Sequence, residues 1–504
     1  MEEERRRQNE LRAAAAERRM QQASSRGPVR EPEARPTTSS WENVDPKVLQ
    51  DSFCLLFGDS ATSKTVLTQW TTQGLVLGDE VGAKHVLLQL QGGPCAVLAP
   101  LQAFLMKHLV FRCDFGGDLA GVTHAEVRRA LQGALCEALW RAGNYEGGCV
   151  LKLVSPDAAK RVKDRIERME DGCDVEGVVS CVSEGCFQLK RFENRVEFLS
   201  ELGDALGGDL RGDLGVLVVL LSILLSRGVE RVQDDRDDTS QPLITLPFGH
   251  ASQEIVNLFL CGKAVTNVFD GDMDMGGDYK LKGISSRTQV GFLTLLESHN
   301  YLTVGRYLKE PEYPIWVLGS DSHYTVLFSL DRAVQDESER EKREKEVRKI
   351  FDEHDKSGGG GFIERADLQS VLQKARCAEG AARDLASQDV VTWHELRSSL
   401  RGSEFGAGDE AGPAVRTLHM YHVNGIAKSS ASGEGGQAKP TLKAVTVTLT
   451  KPLEAMQMDV PDENLAMLTG ENAQKAQWCP LVDCIRTRWK QAECHWEGEA
   501  PSMV

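Results

Sequence analysis

Apolar positions between residues 41 and 330 recur at helical spacing over 123–141, 194–206, 251–261 and 286–298, and at strand spacing over 149–154 and 315–329. Amphipathic helices mixed with short strands predict an α/β or α+β body. The longest apolar run, 214–225, holds Gly215 and Ser222 and falls well short of the roughly 20 residues that span a bilayer, so it reads as a core helix or a buried strand. No period of roughly 20 to 50 residues repeats, which argues against a solenoid.

The pattern changes outside that body. Residues 1–40 are rich in Glu, Arg, Ala and Gln and then in Pro, Ser and Thr, with few apolar anchors, and are expected to form a disordered charged extension. Residues 334–402 open with a charged helical stretch at 338–351, followed by Asp355-Lys356-Ser357, a glycine run at 358–361, Phe362-Ile363 and a second helical stretch, a sequence that resembles an EF-hand. The ligand set departs from a working loop. Gly359 stands at the third ligand, the glycine run is one residue too long, and Asp367 falls where a glutamate in register is required. Asp355, Ser357 and Asp367 therefore read as a structural relic that holds no metal. After a Gly/Asp/Ala linker at 402–413, strand patterns at 415–422 and 442–450 flank a Ser/Gly/Lys-rich loop at 427–439, and a last helical stretch at 481–489 packs back through Ile485 and Trp489.

Candidate chemistry centres on Gln89-Leu90-Gln91-Gly92-Gly93-Pro94-Cys95, a polar, glycine-bearing loop that turns into the apolar run through Leu101, Phe104, Leu105 and Leu109. Pro94 has its φ preset for a first helical turn, which puts Cys95 at a helix N-terminus. Orphan N–H groups and the positive dipole end there favour thiolate, and such placement lowers a cysteine pKa from about 8.5 to roughly 3.5–7.5. Gly92 and Gly93 are expected to leave room for a substrate backbone. Gln89 is placed to donate its amide to a developing oxyanion. A thiol nucleophile needs a base brought to it by the fold, and the best candidate is His323, which follows the Gly319-Ser320-Asp321-Ser322 turn and opens a second strand.

The Gln89-x5-Cys95 spacing with Gly92-Gly93-Pro94-Cys95-Ala96-Val97, and the later Pro314-Ile315-Trp316…His323-Tyr324-Thr325-Val326, resemble the MINDY family of cysteine deubiquitinases, and within it the branch with an EF-hand-like insert. Trp70-Thr71-Thr72-Gln73-Gly74-Leu75, Gly249-His250-Ala251-Ser252-Gln253, the string at 262–272 and Val290-Gly291-Phe292-Leu293-Thr294-Leu295 recur in the same order, so the likeness covers residues 41–504. It implies Cys95 as nucleophile, His323 as general base and then acid, and Gln89 in the oxyanion hole. It also implies a papain-like cysteine-protease fold with its main part at 41–330, an EF-hand-like helical insert at 334–402 and a return into the catalytic domain at 414–504. The substrates implied are ubiquitin and polyubiquitin, with a preference for lysine-48-linked chains, in the nucleus or cytoplasm. Asp321, Thr325 and Asn267 are possible third residues for orienting the histidine, and each also has a structural reading. Two alternatives stay open: a hydrolase of another ubiquitin-like modifier or peptide, and a non-catalytic ubiquitin-binding module.

Composition is consistent with this. At 504 residues and 41% hydrophobic content the chain can fill a large core, and it is expected to act as a monomer without a cofactor. The N-terminus lacks an apolar signal region, which predicts an intracellular protein. Thirteen cysteines without a compact framework predict reduced thiols; neither Cys181 with Cys186 nor Cys479, Cys484 and Cys494 has the short paired spacing of a zinc site. Seventy-five acidic against 59 basic residues, net −16, disfavour nucleic acid and favour a basic partner, and no membrane partner is expected. Ubiquitin, with arginines on its tail, fits. The cluster Asp270, Asp272, Asp274 and Asp278 is one place where acids could receive it, or else a solvated loop that mimics the opening of a calcium site.

Overall fold

The structure is a computed structural model that describes residues 40–58, 63–79, 83–112, 117–169, 186–208, 210–276, 280–336, 339–355, 361–378, 380–400, 415–427, 439–450, 479–490 and 492–503. The expected 1–40 extension except residue 40, the 402–413 linker, most of the 427–439 loop, Ser357, Gly359, Cys181 and Asp278 lie outside the described residues. Two compact units emerge, one from Met1–Asp331, Leu418–Val447 and Asp459–Val504, the other from Arg332–Thr417 and Thr448–Met458.

The first unit is mixed α/β. Its centre is helix α1 (Cys95–Phe111), apolar on every side and buried almost throughout, as a helix without a polar face must be. Helix α2 (His124–Ala142) packs along it, started by a reciprocal cap in which Thr123 Oγ1 accepts Glu126 N–H and the Glu126 carboxylate accepts Thr123 N–H. A three-stranded antiparallel sheet runs β1 (Glu42–Asn43), β3 (Phe187–Phe192), β2 (Gly148–Leu153). The 214–225 run is helix α3 (Gly215–Arg227), and it lies on β2. Two polar residues in it shield the sheet edge: Ser222 and Ser226 hydroxyls accept the N–H groups of Leu151 and Cys149 at 3.0 and 2.9 Å.

A six-stranded sheet covers another side of α1 in the order β4 (Gly291–Thr294), β5 (Ile315–Gly319), β6 (Tyr324–Phe328), β7 (Val415–Asn424), β8 (Thr441–Thr450), β9 (Ala492–His495). The β4–β5 pair is parallel, while β5–β6 and β6–β7 are antiparallel. Here the periodicity of 286–298 misleads. The stretch is a buried strand followed by the short helix Leu295–Ser298, because a continuous apolar run serves a buried strand as well as a helix, and pairing with β5 decides. Helix Gln253–Cys261 (α4) also packs on α1, and α5 (Pro480–Arg488) packs on β4, with Trp489 edge-on to Trp316 at 5.5 Å. Below the middle of α1, Lys107 is buried with its ammonium 2.6 and 2.5 Å from the Glu137 carboxylate oxygens, and Arg141 and His108 bind the same carboxylate at 2.6 and 2.8 Å. This cluster ties α1 to α2.

The second unit contains helices Glu339–His354, Arg365–Lys374 and Trp393–Leu400, with strands Phe362–Glu364 and Val390–Thr392 paired antiparallel and a core of its own around Phe351, Ile363, Val371, Val391 and Leu396. Asp355 accepts the Gly361 N–H at 2.9 Å. Among the described residues of the chain, no three His, Cys, Asp or Glu side chains group to hold a metal ion, and no helix is long and apolar enough to cross a membrane.

Candidate active site

The Gln89–Cys95 loop is held from outside itself. The buried Gln73 amide accepts the N–H groups of Leu90 and Gln91 at 2.7 and 3.2 Å and donates to the carbonyls of Gly74 and Leu88 at 2.7 and 3.0 Å. Every polar atom of that side chain is satisfied, so the loop that precedes the cysteine is fixed by a residue outside it. Pro94 caps α1 at φ −68°, as its ring requires, and Cys95 is the first helical residue.

Gly93 has φ +96°, and a Cβ there would stand 2.4 Å from the Gly249 carbonyl oxygen, which accepts Trp70 Nε1–H at 3.0 Å. The space on the Cβ side of Gly93 is thus filled by the protein's own backbone. Gly92 is half-buried beside it.

Cys95 is 4% exposed, with Sγ 3.7 Å from the Gly93 carbonyl. Burial pushes its thiol up to about 11, against the opposing effect of the backbone N–H groups of Tyr324, Ala96 and Cys95 itself. The expected lowering at a helix N-terminus does not occur, because loss of hydration outweighs the helix end in this closed site. The sulfur lines a cavity of about 20 Å³ together with Gln89, Gln102, Tyr324, Thr325 and Gly425, room for about one water.

Tyr324, the residue after His323, lines the same cavity as Cys95, so the start of β6 passes close to the start of α1. His323 is 6% exposed and closes the turn into β6, where its carbonyl accepts Ser320 N–H at 2.9 Å. Burial lowers its pKa, the contact with Asn424 raises it, and nearby His250 lowers it, with a net fall that favours the neutral ring. Gln89 joins the same cavity. Its backbone is locked to the segment after β7, with Gln89 N–H donating to Gly425 O at 2.7 Å and Ala427 N–H to Gln89 O at 2.9 Å, while its Nε2 donates to Gln91 O at 2.8 Å.

None of the three residues considered for orienting the histidine is placed to do so by a hydrogen bond. Thr325 Oγ1 lies 3.0 Å from His422 Nε2, Asn267 donates to Asp237 at 2.6 Å, and Asp321 is exposed. The residue that meets His323 Nε2 is Asn424, its Oδ1 at 3.1 Å. Sequence reasoning passes over it because Asn424-Gly425 at a strand end is the commonest of turn signals. Asp270 is likewise a scaffold: its carboxylate accepts the N–H groups of Arg306 and Tyr307 at 2.8 and 2.9 Å. Asp272 and Asp274 face Lys282 and Lys280 across a two-stranded ribbon.

On this mixed α/β body Cys95 begins α1, and Gln89 and Tyr324, the residue after His323, line the same small cavity. The chain belongs to the MINDY-3/4 family of deubiquitinating enzymes, whose profile, "Deubiquitinating enzyme MINDY-3/4, conserved domain", matches residues 54–347. It is 31% identical over 466 residues to the ubiquitin carboxyl-terminal hydrolase MINDY-3 of Bos taurus and, equally, to that of Homo sapiens, covering 88% of this chain and 95% of each relative. The probable ubiquitin carboxyl-terminal hydrolase MINDY-4 of Bos taurus is 35% identical over 292 residues, covering 57% of this chain and 36% of that protein. No solved structure matches the chain significantly.

Proposed function

We propose that the chain hydrolyses isopeptide bonds in polyubiquitin, preferentially lysine-48-linked, with Cys95 as nucleophile, His323 as base and then acid, and Gln89 as oxyanion donor. The observation that supports this reading is one small cavity lined by Cys95, by Gln89 and by Tyr324, the residue that follows His323. With the thiol held up and the imidazole held neutral, the resting pair is uncharged. His323 takes the proton as sulfur adds to the carbonyl carbon of the ubiquitin terminal glycine, the oxyanion turns the Gln89 amide away from Gln91, and the imidazolium returns the proton to the departing lysine amine. Water, deprotonated by the same ring, then cleaves the thioester. The fold is read as papain-like, and the Arg332–Thr417 unit, with its two short strands paired between helices, as an EF-hand-like insert that holds no calcium.

Incubation of the protein with long polyubiquitin of each linkage, with Cys95→Ala in parallel, tests the reading. Cleavage of lysine-48-linked chains and silence from the variant are expected. Equal cleavage of all linkages removes the specificity, and an active Cys95→Ala removes the chemistry.

A further inference from the structure

We propose that Asn424 is the positioning residue of His323, and that its amide is locked by a clasp formed from residues 501–503 of the same chain. This rests on the assignment of His323 as the base. Three hydrogen bonds carry it. Asn424 Oδ1 lies 3.1 Å from His323 Nε2 and also accepts the Ile426 N–H at 3.1 Å, while Nδ2 donates to the Ser502 carbonyl at 3.0 Å. A backbone N–H can only donate and a carbonyl can only accept, so these two partners fix which end of the amide is oxygen. Nε2 of the neutral ring must then be the protonated nitrogen, and the lone pair is left on Nδ1, the nitrogen free to take a proton. An amide turned the other way would present N–H to Nε2 and leave the ring in the wrong tautomer for that task.

The clasp grips the histidine at a second point. Ser320 Oγ accepts the His323 N–H at 3.2 Å and lies 3.1 Å from both the His323 and Met503 carbonyls. Its single proton serves one of them, and His323 O already receives Ser320 N–H, so Met503 O is the acceptor left in need. Two successive carbonyls, of Ser502 and Met503, thus hold the ring through Asn424 and the main chain through Ser320. Residues 501 and 503 are buried, and the Cys479 thiol lies 3.8 Å from Pro501 O, which anchors the segment. The strand end that carries Asn424 is the one that pairs with Gln89, so the clasp bears on two of the three proposed catalytic positions.

The test uses full-length protein and a fluorogenic ubiquitin C-terminal amide, comparing Asn424→Ala, Asn424→Asp, a variant lacking residues 501–504, and the Asn424→Ala variant with the same deletion. Asn424→Ala is expected to lower kcat by roughly 10- to 100-fold with KM little changed. Its acid limb moves to lower pH, since the ring loses the contact that supports its protonated form, whereas Asn424→Asp moves that limb to higher pH and restores part of kcat. The deletion is expected to reproduce the Asn424→Ala loss, and the two together to cost no more than either alone. Full kcat with an unmoved acid limb in Asn424→Ala overturns the assignment; a fully active deletion, or losses that multiply, overturns the clasp. If Asn424→Ala unfolds, the isosteric Asn424→Asp decides by its limb alone. Cys95→Ala, run alongside, separates the cases: activity in it removes the thiol reading itself, while silence in it with an unaffected Asn424→Ala removes only the positioning role.

Discussion

Free Cys95 should be a quiet thiol. Its pKa is raised from 9.0 to about 11, so near pH 7 its thiolate population is about 100-fold below that of an ordinary cysteine. Moving its proton to an imidazole whose own pKa lies at or below 6.5 spans at least about 4 units, on the order of 6 kcal/mol at 1.36 kcal/mol per unit. A turnover near 10 per second corresponds to a total barrier of about 16 kcal/mol, so a transfer of that size fits within the chemical step and no preformed ion pair is needed. The assay is alkylation by iodoacetamide, followed peptide by peptide by mass spectrometry from about pH 6 to about pH 10.5. Burial slows the absolute rate by limiting access, so the decisive quantity is the slope. The Cys95 rate is expected to climb tenfold per pH unit without a plateau, while an electrophile fused to the ubiquitin tail reacts readily near neutrality with His323 as base. A plateau below about pH 8 would refute the argument, since it would mean that the helix end and His323 hold a thiolate in advance.

Three further outcomes follow from the same packing. Gly93→Ala forces a Cβ against Gly249 O at a positive φ and should cost about 1–3 kcal/mol, read as a fall in thermal midpoint together with activity; an unchanged midpoint counts against the close packing of the two loops. Glu137→Ala strands Lys107 and Arg141 in the core and should cost about 3–5 kcal/mol in urea unfolding, most of it recovered in a Lys107→Met/Glu137→Leu/Arg141→Leu triple variant; a triple variant as weak as the single one contradicts the unpaired-charge account. His85 and His422 are buried with their pKa lowered from 6.5 to about 4 and about 3, so below pH 6.5 the unfolded chain binds protons that the folded chain refuses, and stability falls as pH falls. From pH 7 to 5 that amounts to about 2 kcal/mol for each ring, and a constant urea midpoint over that range would disprove it.

What could be read in advance, and what could not, divides by the range of the interaction. Pro94 before Cys95 is a local instruction, and the helix begins where it says; the turn before His323 is local too, and β6 opens at Tyr324. Helices expected at 123–141 and 194–206 appear at His124–Ala142 and Arg195–Gly207, since each has a polar face against water that shows its period. The segment around Phe292 has no such face, and nothing inside it says that β5 lies alongside. The strings around Trp70 and Gly249 are visible as words long before their use is: Trp70 Nε1 holds the Gly249 carbonyl that occupies the space beside Gly93.

The thiol pKa illustrates the harder limit. A helix N-terminus is a short-range feature whose sign can be stated from Pro94-Cys95 alone, but the competing cost of burial is set by β6 and the strand end at Gly425, some 230 and 330 residues further along. The same distant strand end supplies Asn424, so the burial of the sulfur and the contact of Asn424 with the His323 ring arrive together, when β7 pairs with β6 at Val423 and Gln89 pairs with Ile426. A site assembled in this way is complete only where β7 has paired with β6 and the Gln89 segment. Substitutions at Gly425, where a Cβ would stand 2.2 Å from Leu87 O, should therefore disable the thiol and its base at once while leaving the α1–α2 core to fold.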